Sequence, residues 1–529
     1  MNRLTSFTAA GILLVSIAVA RADELGDIDF PNSGAPAAQQ AFLTGVKALH
    51  SFQFDEARFA FEEAQRVDPA FALAYWGQAM SDNHPLWAQQ DREAATSALQ
   101  RLAPDFKGRL AKAGTEKERA FLTAIETLYF APGDKLARDN AYSDYMAGMH
   151  ARWPEDDEIS VFYALSLLGT VRPGDRGFRR QAQAAAICLD VFARNPSHPG
   201  AAHFVIHSFD DPDHAILALP AAKVYADIAP AAAHALHMPS HIFLQLGMWD
   251  RVVGSNIDAY AAAVAANKKY GLAEGREDFH TLSWLAYANL MLGQYERAAE
   301  NLSLAKAAVD RNPGLAAVLN GYLEMRGRHI IESGDWQALE LAPERSVAGR
   351  NMEWVAVVGM SAVHTGNFEL AKAAEQRLQL LARDATAAGH DYDARQSAIL
   401  AGEVAASRLL KNGDTDAAVA AGKDAADMEQ RYMRVPSGPP RPIKPAAELY
   451  AEVLLQAGFA EEALEAFEKS LAWIPQRTPS LLGLARAAAA TGNAELARDT
   501  YARLRDMPGA NPDGPAMVAA RAARDAITH

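Results

Sequence analysis

One phrase returns along this chain with different residues in the same roles. "GVKALHSFQFDEARFAFEEAQRVDP" carries Gly45, Phe54, Ala57, Phe61, Ala64 and Pro69. "LGMWDRVVGSN" carries Gly247 and Trp249, and "LGQYERAAENLSLA" carries Gly293, Tyr295, Ala298 and Ala305. "TGNFELAKAA" (Gly366, Phe368, Ala371), "AGFAEEALEAFEKSLAWIP" (Gly458, Ala463, Phe467, Pro475) and "TGNAELARDTYARL" (Gly492, Ala497, Tyr501) repeat the pattern. The apolar spacing around these phrases is helical nearly throughout. Small residues let two helices approach, an aromatic fills the groove between them, and Pro closes the second helix. One such unit cannot bury its own apolar face, whereas stacked neighbours can. The chain is thereby confined to an all-α stack of helix pairs. Spacing between units is irregular, with insertions such as "TVRPGDRGF" at 170–178.

These phrases resemble the tetratricopeptide repeat, a helix-turn-helix unit of about 34 residues. The resemblance implies a right-handed superhelical solenoid with a concave groove lined by the first helix of each pair. The expected organisation is a solenoid over 37–435, a Pro-rich linker "PSGPPRPIKP" at 436–445, and further helix pairs over 446–529. Residues 23–36 read as an extended leader that packs weakly or not at all.

The first residues set the compartment. A basic start with Arg3, an apolar run from Ala9 to Ala20 and "ARA" at 20–22 read as a secretory signal cleaved before Asp23. That run is shorter than the roughly 20 residues a membrane span needs. The expectation is a periplasmic or secreted protein with no membrane role beyond export. Cys188 is the single cysteine, which excludes an intrachain disulfide and any cysteine-based metal site. A net charge of −14 argues against nucleic acid as a partner.

Seven of the 15 histidines lie between His198 and His241. His203 and His207 form one His-x3-His pair, and His237 and His241 form another 34 residues later. Such a pair on a helix shares one face. The offset matches one repeat, so four imidazoles from two adjacent first helices are expected on one surface. By the tetratricopeptide resemblance these residues fall at groove-facing positions, as do His234 and, in the following unit, His280. Pro239 requires that the helix around His237 either starts late or kinks.

Six imidazoles in register need partners for both ring nitrogens. Histidine is the commonest ligand of copper, zinc and non-haem iron, and no thiolate competes here. A transition metal ion is therefore the expected cofactor. Copper is preferred, because the compartment is oxidising and six histidines can serve two three-coordinate ions; zinc and iron remain open. Asp210, His84 and His198 are additional candidate ligands. Asp213 and His214 read as turn and capping residues, Glu158 as a solvated glutamate or a supporting carboxylate, and Cys188 as a buried inert thiol.

"AYWGQAMSDNHPLW", "HPGAAHFVIHSFDDPDHA", "APAAAHALHMPSHIFLQLGMWD" and "SLLGLARAAAATG" together resemble a group of exported bacterial tetratricopeptide proteins that carry these phrases in this order. Two function classes stand open. One is a metalloprotein, an oxidoreductase or a metal-handling factor. The other is a non-catalytic scaffold that holds a protein or peptide partner in its groove. Catalytic residues, if any, and oligomeric state are not legible.

Overall fold

The computed structural model describes residues 24–172, 175, 177–271, 278–433 and 437–527; the expected signal peptide at 1–22 lies outside them. The chain is an all-α solenoid of tetratricopeptide-like helix pairs, interrupted among the described residues by one short antiparallel bridge that sets Asn83 opposite Gln90 and His84 opposite Gln89. It divides into two compact units. The first runs to Asp210 and includes His214–Ile242; the second comprises Asp211–Asp213 and everything from Phe243. Among the described residues no helix is long and apolar enough to cross a membrane.

The repeat phrases act as their chemistry dictates. In the first unit, helices Gln39–His50, Phe54–Val67 and Ala72–Met80 pack in sequence. Phe61 is fully buried between two glycines: a Cβ on Gly77 would meet its ring at 2.3 Å, and one on Gly45 at 2.8 Å. The second unit repeats the device, with a Cβ on Gly483 meeting Phe467 at 2.1 Å. Between paired helices, Gly366 and Gly492 adopt φ of 80° and 78°, which ends one helix. The following Asn367 and Asn493 accept from Leu370 N and Leu496 N and start the next.

Two sequence expectations change. The leader is extended but well packed: Phe30 is buried with its ring 5.3 Å from Phe42 and 5.1 Å from Phe121, and Asp27 N donates to Ser197 O at 2.9 Å. Ile28 and Phe30 supply the apolar surface that ties it down. The Pro-rich stretch is not a linker between modules. Within the second unit Ile443 is fully buried and its N donates to Glu353 Oε2 at 2.8 Å, while Arg328 Nη2 donates to Pro440 O at 3.0 Å. Lys444 donates to Glu448 at 2.9 Å and Glu452 at 2.7 Å. The same unit buries Arg477 completely, where it meets Glu448 (2.7 Å), Glu332 (2.8 Å) and the Tyr287 hydroxyl (3.0 Å).

Candidate metal centre

Helix Pro199–Ser208 carries the first histidine pair. Pro199 opens it at a position where the missing N–H costs nothing. His198 caps it, its Nδ1 accepting from Ala201 N at 3.2 Å. One turn then separates His203 from His207. His203 is fully buried and its Nδ1 lies 2.6 Å from His50 O. A carbonyl can only accept, so the proton sits on Nδ1 and the Nε2 of neutral His203 presents a lone pair. Among the described residues neither that Nε2 nor the buried Nε2 of His207 has a hydrogen-bond partner.

His234 stands on helix Ala233–His237 and faces the same space. Its ring centroid is 5.0 Å from that of His203 and 6.3 Å from that of His207. One donor atom from each of His203, His207 and His234 lies within 4.8 Å of the others. Burial, reinforced by the neighbouring imidazoles, holds His203 and His207 well below the usual imidazole range. Both are neutral at pH 7, the state a metal requires.

The second pair is arranged differently from the first. The helix ends at His237 and a new one starts at Pro239, with Met238 between them still in the right-handed helical region. His237 and His241 nevertheless converge, with Nε2 atoms 3.1 Å apart. His241 Nδ1 lies 2.6 Å from Asp210 Oδ2, so this carboxylate orients the ring and directs its Nε2 toward His237. The expected single shell of His203, His207, His237 and His241 is thus two adjoining groups: His203 and His207 gather with His234, and His237 pairs with His241. The rings of His207 and His241 are 6.0 Å apart.

The histidines do not line an open groove. His203, His237 and His241 are buried, and His207 and His234 are half-buried. The chain's first helix pair covers them. Phe52, in the turn after helix Gln39–His50, sets its ring centroid 4.5 Å from His203, 5.6 Å from His207 and 5.5 Å from His234. Its φ is +53°, a backbone region that a bulky residue rarely adopts.

His280 belongs to the second unit, exposed in the first turn of helix Phe279–Met291 with its ring 5.6 Å from Trp284. His84 stacks on Phe54 at 4.0 Å and acts as packing. His198 belongs to a third group with His50 and Glu158, all fully buried. Glu158, expected in solvent, takes His50 Nε2 at 2.8 Å and His198 Nε2 at 3.2 Å. Burial alone would push its carboxyl up; the two imidazoles outweigh that and bring it down to about 2. In this third group His50 Nε2 is hydrogen-bonded to Glu158 Oε2, and His198, whose Nδ1 accepts from the backbone, sets its Nε2 3.2 Å from Glu158 Oε1; among the described residues neither that Nε2 nor His50 Nδ1 has a hydrogen-bond partner. Asp213 N donates to Asp211 Oδ1 at 3.0 Å, as turn chemistry requires, and His214 packs against Phe178. Cys188 is buried, which pushes its thiol up and leaves it inert.

His50 and Phe52 escape the sequence reading. Both come from a helix pair about 150 residues before the histidines they touch, and no periodicity connects the two segments.

No family model matches the chain, and no curated protein does. Similar solved structures include a tetratricopeptide repeat protein from Parabacteroides merdae, with 14% identity, 55% of this chain and 99% of that chain covered, and a TM-score of 0.32. Yeast Tom70 gives 12% identity, 93% and 96% coverage, and a TM-score of 0.30. Human IFIT1, solved as a dimer with m7Gppp-AAAA, gives 14%, 94% and 95%, and 0.30. Likenesses this weak carry no argument about what this protein does.

Proposed function

We propose that the protein binds a transition metal ion, copper in preference to zinc or iron, through His203, His207 and His234. His237 and His241, oriented by Asp210, offer ligands for the same ion or an adjoining one. One observation carries the reading. Two neutral imidazoles hold buried Nε2 atoms with no hydrogen-bond partner among the described residues, that of His203 as a lone pair, beside a space that a third histidine also faces. A water molecule can donate to only two lone pairs, whereas a metal ion takes three or more donors at once. All-imidazole ligation suits copper, zinc or iron. The expected export signal at 1–22 would place the protein in an oxidising compartment, which favours copper. Whether the bound ion supports redox chemistry or serves only for metal handling follows from the chemistry of the loaded protein.

The test is metal analysis of untagged full-length protein after exposure to copper, zinc and iron in turn. Stoichiometric metal in the wild type and none in the His203→Ala, His207→Ala double variant is the expected result. A wild type that takes no metal removes the proposal.

The scaffold reading has one observation of its own: Ile216 and Leu217 stand 58% and 53% exposed on helix Ala215–Ala222. Partner capture that survives loss of the histidines and fails on Ile216→Asp would favour it.

A further inference from the structure

Phe52 breaks the repeat. In "LGMW", "LGQY", "TGNF" and "TGNA" the first helix of the pair ends on a glycine, and Gly247, Gly293, Gly366 and Gly492 adopt φ of 67–80° there. The first repeat reads "SFQF" and sets Phe52 in the same place at φ +53°. The turn is otherwise the same. Phe52 N donates to Leu49 O at 3.1 Å and Gln53 N to Ala48 O at 2.9 Å, as Gly293 N donates to Leu290 O and Gln294 N to Asn289 O. Glycine enters this conformation freely, whereas a residue with a side chain is strained by it. The turn itself therefore does not call for the phenyl ring.

What the ring meets is the first histidine group. The ring centroids of Phe52, His203, His207 and His234 stand at the corners of a distorted tetrahedron with edges of 4.5–6.3 Å, all within the first unit. Three corners carry imidazoles with buried Nε2 atoms; the fourth carries a ring with no donor atom. Phe52 is 7% exposed, and Phe54 at 5.4 Å and Phe204 at 5.7 Å hold its ring in that corner. The three donors that lie within 4.8 Å of one another are all imidazoles, with no carboxylate among them.

We propose that Phe52 makes this a three-coordinate site, which takes copper as Cu(I) in preference to Cu(II) and zinc. The inference rests on the metal reading above. Zinc is nearly always four-coordinate, and Cu(II) seeks a tetragonal shell, so both need a donor where Phe52 stands. Cu(I) is a filled-shell monocation that three donors satisfy. Charge acts in the same direction. The cost of burying an ion rises with the square of its charge, and three neutral imidazoles cancel none of that charge.

The experiment is an anaerobic competition titration of untagged full-length protein, with separate runs for Cu(I) against bicinchoninate and for Cu(II) and zinc against colorimetric chelators. Only binding lost in His203→Ala is counted. X-ray absorption on the Cu(I)-loaded protein then counts the donors. Wild type should bind Cu(I) more tightly than either dication, with three nitrogen donors. Phe52→Gly suits the turn and opens the fourth corner to water. It should narrow the preference for Cu(I) over zinc by about 10- to 100-fold, the usual effect of residues that surround metal ligands. Phe52→Leu keeps the corner apolar and should retain the preference; if circular dichroism shows that it does not fold, Phe52→Gly decides alone. Zinc or Cu(II) bound to the wild type at least as tightly as Cu(I) overturns the inference and leaves the metal reading intact. A fourth nitrogen around Cu(I) does the same, because another histidine then completes the shell. So does a Phe52→Gly variant that keeps the wild-type preference. A protein that takes none of the three ions ends both readings.

Discussion

Replacing His207 with Leu tests whether the histidines are core or ligands, because the two readings give opposite signs. Leucine is similar in volume to imidazole and suits a helix, so a packing mismatch costs below about 1.5 kcal/mol. The substitution also removes a buried Nε2 with no hydrogen-bond partner among the described residues. Leaving such an atom unpaired costs about 1–3 kcal/mol. The metal-free variant should therefore equal the wild type or exceed it by about 1 kcal/mol. Metal reverses the order. An ion held at 100 times its Kd stabilises the wild type by about 2.7 kcal/mol and the variant not at all. For a unit of this size, that is a rise in Tm of about 5–10 °C.

Acidity supplies a second axis. Burial and the neighbouring His241 and His234 depress the His207 pKa well below 6.5. As pH falls below 6.5 the unfolded chain binds a proton that the folded one does not, so stability falls with pH. The loss reaches about 1.4 kcal/mol per pH unit until the folded value is met. The variant lacks this contribution, so its advantage over metal-free wild type should widen from pH 7 to pH 5.5. Differential scanning calorimetry at both pH values, with chelator and with copper, measures all four quantities. A metal-free variant more than 2 kcal/mol less stable than wild type, with no wild-type response to metal, would refute the reasoning.

Three further outcomes are expected. Asp210→Asn should weaken metal binding 10- to 100-fold in competition titrations, because the amide no longer fixes the Nδ1 proton of His241. Acid titration of the metal-free protein, followed by hydrogen exchange in the first unit, should show stability falling below pH 6.5. Burial lowers His50, His203 and His207 together, and Asp82, raised to about 6 by burial, opposes them only in part. In the second unit Glu403→Leu should raise stability by about 1–3 kcal/mol at pH 7 in urea unfolding, since neither buried carboxyl oxygen has a hydrogen-bond partner among the described residues. Burial raises that carboxyl well above its ordinary value, so its contribution is full below pH 4.5 and is lost as pH rises; the gain should shrink toward pH 4.

Much of this structure was legible because repeats write their packing locally. Gly77 and Phe61 meet through neighbouring helices, and Gly366 with Asn367 ends one helix and caps the next. The His-x3-His pairs were legible for the same reason, although they form two groups and not the single shell that their offset implied. What covers them was not. The His50 carbonyl and the Phe52 ring reach the site through stacking of helices far apart in sequence, which no local period encodes. The Pro-rich stretch misled because proline density signals irregular backbone but not exposure. Ile443 and Lys444 sit among the prolines and bury themselves against acidic side chains supplied by helices Met352–His364 and Ala446–Ala457.

The buried polar groups of this chain resolve their burial in three ways, and the contrast bears on function. Arg477 closes a network in which Glu448, Glu332 and Tyr287 answer its donors. Glu403 has no such partners, but a single proton removes its charge, and burial drives that protonation. His203 and His207 can use neither route. They are already neutral, and the unpartnered Nε2 of His203, whose proton sits on Nδ1, is an acceptor. Protonating them would place positive charges among neighbouring imidazoles in a buried site, which the same burial opposes. A lone pair that burial forbids to protonate, and that the protein leaves without a donor, is satisfied by a bound water or by a Lewis acid. Such a lone pair on His203 beside His207 and His234, with the Nδ1 protons of His203 and His241 held by a carbonyl and a carboxylate, favours the Lewis acid.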